Sequence, residues 1–149
     1  MDEIINNLYI GNRYSLEHAD QFALIVNCTQ PEHQGLALDR AVGVPIIDES
    51  KTVRIPIDDI PEESDHLTAL IKDTDILNKI HDTLNKGNKV LVHCNAGRQR
   101  SCATVACYLI KYYQLTPIQA VSYIKSKRKE AFFGYVNFYN TINNMYINK

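Results

Sequence analysis

No stretch of this chain stays apolar for the roughly 18 residues a bilayer crossing needs, so no transmembrane helix and no stable membrane association are expected. The opening MDEIINN is acidic and short and does not read as a secretory signal, which points to the cytoplasm. Excess charge is also missing. Sixteen Lys and Arg face 17 Asp and Glu, for a formal net charge of −1. Bulk attraction to a polyanion is thereby set aside: nucleic acid is not the expected partner, and any basic site must be local. Cysteines are few. Cys28, Cys94, Cys102 and Cys107 include no CxxC pair, and His93 adjoins Cys94 instead of standing at ligand spacing, so neither metal nor cofactor is expected. Cys28 ends an apolar run and Cys107 sits inside a helical pattern, settings that read as reduced thiols and not as two disulfides. Repeats, low-complexity tracts and linkers are absent. With 149 residues and 45% hydrophobic content, residues 1–149 are expected to form one domain with a sizeable core.

What is present is an alternation of strand and helix. Leu8–Gly11 reads as a short strand, Ala23–Cys28 as a buried one, Thr52–Ile57 as an edge strand and Lys89–His93 as the central strand. Val44–Ile47 is either a strand or a loop edge, because Pro45 interrupts it. Ser15 is expected to cap a short helix carrying Leu16, Ala19 and Phe22. A helical pattern covers Ser64 to Asn85, with a break expected over Lys72–Asp75 and an end at Gly87. Ser101–Tyr113 forms the next helix. Another starts at Thr116, with Pro117 at its first position and Gln119 completing a capping box, and closes in the solvated run Lys125–Lys129. A last helix is expected over Tyr135–Tyr146. The order implies an α/β fold: a central, largely parallel sheet of four or five strands flanked by helices. Sites in such sheets form beyond the carboxyl ends of the strands.

Two segments sit there. After Val90-Leu91-Val92-His93 comes Cys94, then Asn95-Ala96-Gly97-Arg98-Gln99, then Arg100 and Ser101 at a helix start. A strand-to-helix loop of this kind is a cradle of backbone N–H groups, and the helix adds its positive end. Residues 95–100 are thus the candidate substrate-binding loop, with Gly97 allowing close approach of the backbone. Arg100 grips two phosphate oxygens with a bidentate fork that lysine lacks. Cys94, as a thiolate favoured by the same field, is the nucleophile. Ser101 hydrogen-bonds its sulfur, and His93 orients the loop through hydrogen bonds instead of acting as a base. The leaving oxygen needs a proton from a carboxylic acid on another loop, for which Asp58 and Asp59 are the candidates. Cys102, in the first helical turn, reads as a packing residue rather than a disulfide partner of Cys94.

HCNAGRQRS matches the HCxxGxxRS signature, and nearly the whole chain resembles the dual-specificity (Ser/Thr/Tyr) protein phosphatases. Asn7–Asn12, Ala23–Thr29, Arg54–Asp59, Ala103–Ile110 and Thr116–Arg128 carry the likeness; it is weak over residues 30–50. The resemblance implies Cys94 as nucleophile, Arg100 as phosphate clamp, Ser101 as thiolate partner and Asp59, over Asp58, as general acid. It implies hydrolysis of phosphotyrosine and phosphoserine/threonine in a phosphoprotein substrate through a phosphocysteine intermediate. Gln99 departs from the family's small residue or Asn. Arg98 is similar to the extra arginine of mitochondrial phosphatidylglycerophosphate phosphatases and suits substrates with a second anionic group. That leaves a phospholipid or RNA 5′-phosphate as the alternative substrate. Asn12-Arg13-Tyr14 resembles the phosphotyrosine loop of larger tyrosine-specific enzymes only superficially, and the chain lacks the length for their deep pocket, so a shallow cleft is expected. Sulfur transfer leaves Asp59 and Ser101 without a task, and a mere binding module has no use for a nucleophile.

Overall fold

A computed structural model describes residues 1–31 and 48–149. Among these residues five strands form one mixed sheet: β1 (Asp2–Ile5), β2 (Leu8–Gly11), β3 (Leu24–Asn27), β4 (Thr52–Arg54) and β5 (Val90–His93), in the order β1-β2-β5-β3-β4. The β1–β2 pair is antiparallel and the other three pairs are parallel. The central position of β5 and the edge position of β4 agree with the sequence. β1 is an addition. Its signal is the tight Asn6-Asn7 connection, where Asn7 takes φ 71°, a conformation that asparagine tolerates in two-residue hairpins. β4 is shorter than expected. Pro56 has no N–H to extend the ladder, although the Ile55 N–H still donates to the Asn27 carbonyl at 2.8 Å. The candidate strand at 44–47 lies outside the described residues.

Alternation along the strands divides the core. Leu24, Val26, Val90 and Val92 face the α-helices, whereas Ile25 and Leu91 pack with Leu16 and Phe22. The second face is therefore covered by the 3-10 segment Arg13–Gln21. Its cap is Asn12, not Ser15: the Asn12 side chain accepts from the Tyr14 N–H at 2.9 Å, and the Ser15 hydroxyl answers by accepting from the Asn12 N–H at 3.1 Å.

The helices are α1 (Ser64–Thr74), α2 (Ile76–Asn85), α3 (Arg100–Tyr113), α4 (Pro117–Lys127) and α5 (Tyr139–Ile147). The break expected over Lys72–Asp75 is there: Asp75 adopts a left-handed conformation between α1 and α2. The α4 capping box is also as expected, with the Gln119 N–H on Thr116 Oγ1 at 3.2 Å and the Thr116 N–H on Gln119 Oε1 at 2.9 Å. α5 starts four residues later than expected, because Phe132 (φ 55°) and Gly134 (φ 84°) hold residues 131–138 in turns. Along the registers, Gly11 and Asn27 pair with His93, and Asn27 with Arg54. Four strands thus end at one level, and the loops leaving them share one edge of the sheet. Among the described residues, no helix is long and apolar enough to cross a membrane.

Candidate active site

β5 delivers Cys94 to the start of the loop, and α3 opens with Arg100 and Ser101. Gly97 turns the chain at φ 69°, and a Cβ there would stand 2.6 Å from the Gly11 carbonyl oxygen and 2.5 Å from Arg128 Nη2. Only glycine fits. The Cys94 sulfur is buried and lies 3.2 Å from Ser101 Oγ, the contact expected for a hydroxyl that stabilises a thiolate. Arg100 is 7% exposed. Its Nη1 donates to the Ile57 carbonyl at 3.0 Å, while its Nε is buried and has no partner among the described residues. A buried guanidinium N–H without an acceptor is costly, so this geometry suits a group that receives an oxyanion.

The other three cysteines are fully buried. Burial pushes Cys28 and Cys107 up to about 12 and Cys102 higher still, and for Cys28 and Cys102 the nearby Cys94 adds to the effect. All four thiols are free. Cys102 is fully buried and points its sulfur at the Gly97 carbonyl, 3.4 Å away, in keeping with packing.

His93 corrects the sequence reading. Its ring has no hydrogen-bond partner at either nitrogen among the described residues, so it does not orient the loop through side-chain bonds. The neighbouring Cys94 backbone favours the charged ring without meeting hydrogen-bond geometry. Burial dominates and pushes His93 from 6.5 down to about 4, with Arg54 and Arg100 acting in the same direction. Its contribution is a neutral, space-filling ring under the loop. The unfolded chain takes up a proton that the fold refuses, so stability falls as pH drops from 6.5 to about 4. The loss approaches about 3 kcal/mol at the low end. Urea unfolding of wild type and His93→Asn at pH 7 and pH 4.5 checks this: the wild type loses more, and equal losses contradict the assignment.

The segment carrying the candidate acids is pinned from both sides. Ile55 and Ile57 are fully buried, and the Ile57 carbonyl that precedes Asp58 and Asp59 holds Arg100. Both carboxylates are exposed, but Asp59 Oδ1 accepts from Asn137 Nδ2 at 2.7 Å. No comparable bond ties Asp58 among the described residues. With Oδ1 occupied by a donor, Oδ2 is the oxygen left free to face a ligand. Asn137 itself is held by the loop: its N–H donates to Gln99 Oε1 at 3.0 Å, and Gln99 Nε2 donates to the Tyr135 carbonyl at 2.7 Å. Gln99 was expected among the substrate-binding residues. Its place in that loop is through its backbone; its side chain, 5% exposed, is committed to the 135–137 segment. Gln99→Ala is expected to slow phenyl and alkyl phosphate esters roughly tenfold by loosening Asp59, while activated aryl esters change little. A uniform loss across leaving groups assigns the Gln99 side chain to phosphate binding instead.

Arg128 is the other surprise. The solvated helix end expected over Lys125–Lys129 does not include it: it is 5% exposed and lies behind the loop. Its Nε donates to the Gly97 carbonyl at 2.8 Å, Nη2 to the Ala96 carbonyl at 3.4 Å and Nη1 to Asp2 at 2.7 Å. Asn95, Ala96 and Arg98 are exposed on the rim. The Arg98 guanidinium sits over the Phe133 ring at 5.6 Å, and its carbonyl accepts from the Phe132 N–H at 2.7 Å.

Parallel strands ending at an anion-ready loop, with a buried thiol, an arginine and a hydroxyl together, define a cysteine-dependent phosphatase. The family model for the dual specificity phosphatase catalytic domain matches residues 8–147, and the chain belongs to that family. Protein 123R of Invertebrate iridescent virus 6, named as a tyrosine phosphatase, is 36% identical over 132 residues, covering 87% of this chain and 81% of its own length. Tyrosine-protein phosphatase MSG5 of Saccharomyces cerevisiae is 27% identical over 83% of the chain, a stretch that is 24% of the yeast protein. The phosphatidylglycerophosphate phosphatase PTPMT1 of Arabidopsis thaliana is 45% identical over 49 residues, 33% of the chain and 14% of the plant protein. In fold, human DUSP28 superposes with a TM-score of 0.78 at 21% identity, covering 99% of this chain and 96% of that one. The protein is a hydrolase of the dual-specificity phosphatase class.

Proposed function

We propose that residues 1–149 act as one catalytic domain that dephosphorylates phosphotyrosine and phosphoserine/threonine in proteins through a phosphocysteine on Cys94. In the first step the Cys94 thiolate attacks phosphorus, and the phosphorus–oxygen bond to the substrate breaks. The leaving oxygen takes the Asp59 proton. The loop N–H groups of residues 95–100 and the Arg100 fork hold the three equatorial oxygens throughout, where charge develops. In the second step water attacks phosphorus and gives its proton to the Asp59 carboxylate. The phosphorus–sulfur bond breaks, eased by the Ser101 hydroxyl on the departing sulfur, and inorganic phosphate leaves.

The observation that carries this reading is the Cys94–Ser101 contact at 3.2 Å beside a guanidinium whose Nε is buried and unpartnered. The exposed position of Asp59 supports a shallow cleft open to both aromatic and aliphatic phosphate esters. Free cysteines support a reducing compartment, the cytoplasm. The exposed Arg98 on the rim and the partial likeness to PTPMT1 favour, as a second reading, a phosphatase of a phospholipid or RNA 5′-phosphate. A kcat/KM panel separates them: phosphotyrosine and phosphothreonine peptides, phosphatidylglycerophosphate, phosphoinositides and 5′-triphosphorylated RNA. Turnover of both peptides above the lipids and RNA is expected. Exclusive turnover of a lipid or of RNA overturns the protein-substrate reading.

A further inference from the structure

Three of the four phenylalanines, Phe22, Phe132 and Phe138, are buried. Phe133 is 70% exposed, and Tyr135, two residues on, is 66% exposed. The backbone imposes this exposure. Phe132 takes φ 55° and Gly134 takes φ 84°, one on each side of Phe133. A left-handed conformation is costly for a bulky aromatic residue and persists only where the surroundings over-determine it. Here the turn sends Phe132 into the main core and leaves its neighbour in solvent.

The same turn is tied to the catalytic loop. The Phe132 N–H donates to the Arg98 carbonyl at 2.7 Å, and Gln99 Nε2 donates to the Tyr135 carbonyl at 2.7 Å. The Arg98 guanidinium stands over the Phe133 ring at 5.6 Å and limits where that ring can swing. From the other side, Asn137 Nδ2 donates to Asp59, and the residue after Asp59 is Ile60, a third exposed apolar side chain. An exposed apolar residue standing alone needs no explanation. Three of them, on segments bonded to one another and to the Cys94 loop, stand where a substrate chain must pass. Charge decides what covers them. Residues 58–62 and 130–135 hold four exposed carboxylates, Asp58, Asp59, Glu62 and Glu130, and no Lys or Arg. Such a border repels an anionic lipid surface and leaves a peptide as the occupant.

We infer that Phe133, with Tyr135 and Ile60, forms an apolar subsite for a large aliphatic or aromatic side chain one or two residues from the phosphorylated residue of a peptide substrate. Phe133 is thus a specificity-determining residue. An extended peptide advances about 3.3 Å per residue, so a side chain one or two positions away stays within ~7 Å of the phosphorylated residue along the chain. That is the scale of a subsite beside the loop. The turn is fixed by its backbone bonds before any ligand arrives, so little freedom remains to be lost on binding.

The subsite rests on the protein-substrate reading, and the test separates the two. Matched phosphotyrosine peptides of serine and glycine carry a single leucine at one of the two positions before or the two positions after the phosphotyrosine. Each kcat/KM is divided by that of the leucine-free peptide with the same enzyme variant, which cancels any general damage to the loop. Wild type is expected to gain roughly tenfold at one or more positions, through KM, as partial burial of one leucine side chain allows. Phe133→Ser is expected to bring that ratio toward one, Phe133→Leu to keep part of it, and Tyr135→Ala to lower it. A wild-type ratio of one at every position, or a gain untouched in both Phe133→Ser and Tyr135→Ala, overturns the subsite and leaves the protein-substrate reading standing. A wild-type dimer in sedimentation velocity that Phe133→Ser dissociates makes these side chains a contact between copies and also overturns it. If no peptide reacts while a phosphoinositide vesicle does, the protein-substrate reading fails and the peptide subsite fails with it.

Discussion

Cys94→Ser is expected to abolish turnover of p-nitrophenyl phosphate, by on the order of a thousandfold or more, while tungstate still binds. The two halves of this expectation have separate origins. Turnover in the proposed mechanism needs the sulfur nucleophile, and a serine hydroxyl in the same place has no adjacent base to activate it: the His93 ring beneath is neutral and without a hydrogen-bond partner among the described residues. Oxyanion binding, by contrast, draws on Arg100 and the loop N–H groups, which the substitution leaves in place. Retained turnover contradicts covalent catalysis. Loss of tungstate binding in a folded variant contradicts the division of labour between thiol and cradle.

Asp59→Asn is expected to slow phenyl and alkyl phosphate esters by about a hundredfold to a thousandfold, and esters with good leaving groups far less. An activated leaving group departs without a proton, so the residue that supplies one becomes dispensable there. Asp58→Asn serves as the control. Both carboxylates are exposed and adjacent, but Asp59 Oδ1 has the Asn137 amide at 2.7 Å to fix its orientation. If Asp58→Asn shows the leaving-group dependence and Asp59→Asn does not, the acid assignment is reversed.

Legibility in the sequence follows the range of the interactions. The α4 capping box, the Asp75 break and the Cys94–Ser101 contact are set by residues three to seven apart, and their types and spacing are readable directly. Arg128 on Gly97 spans 31 positions, Asn137 on Gln99 spans 38 and Asn137 on Asp59 spans 78. Such bonds depend on packing that no local pattern encodes. Arg128 illustrates the point: among five residues of which four are cationic it reads as solvated, and only the fold turns it inward behind the loop. Gln99 is the intermediate case. Its departure from the family pattern is visible in the sequence, but not that both ends of its amide serve the segment that holds Asp59. His93 is misleading in the sequence for the opposite reason. A polar residue next to a catalytic cysteine invites a hydrogen-bonding role, whereas burial here leaves it neutral.

A covalent step on Cys94 leaves a phosphocysteine that can be trapped once its hydrolysis is slowed. In Ser101→Ala the departing sulfur lacks its hydroxyl partner, so hydrolysis of the intermediate slows and the intermediate accumulates. Mixing this variant with an activated aryl phosphate, followed by rapid denaturing quench and mass spectrometry of the peptide containing Cys94, is expected to find one added phosphoryl group on that cysteine, formed as fast as the first equivalent of phenol is released. Phenol release with no phosphoryl group on Cys94 at any quench time contradicts the mechanism.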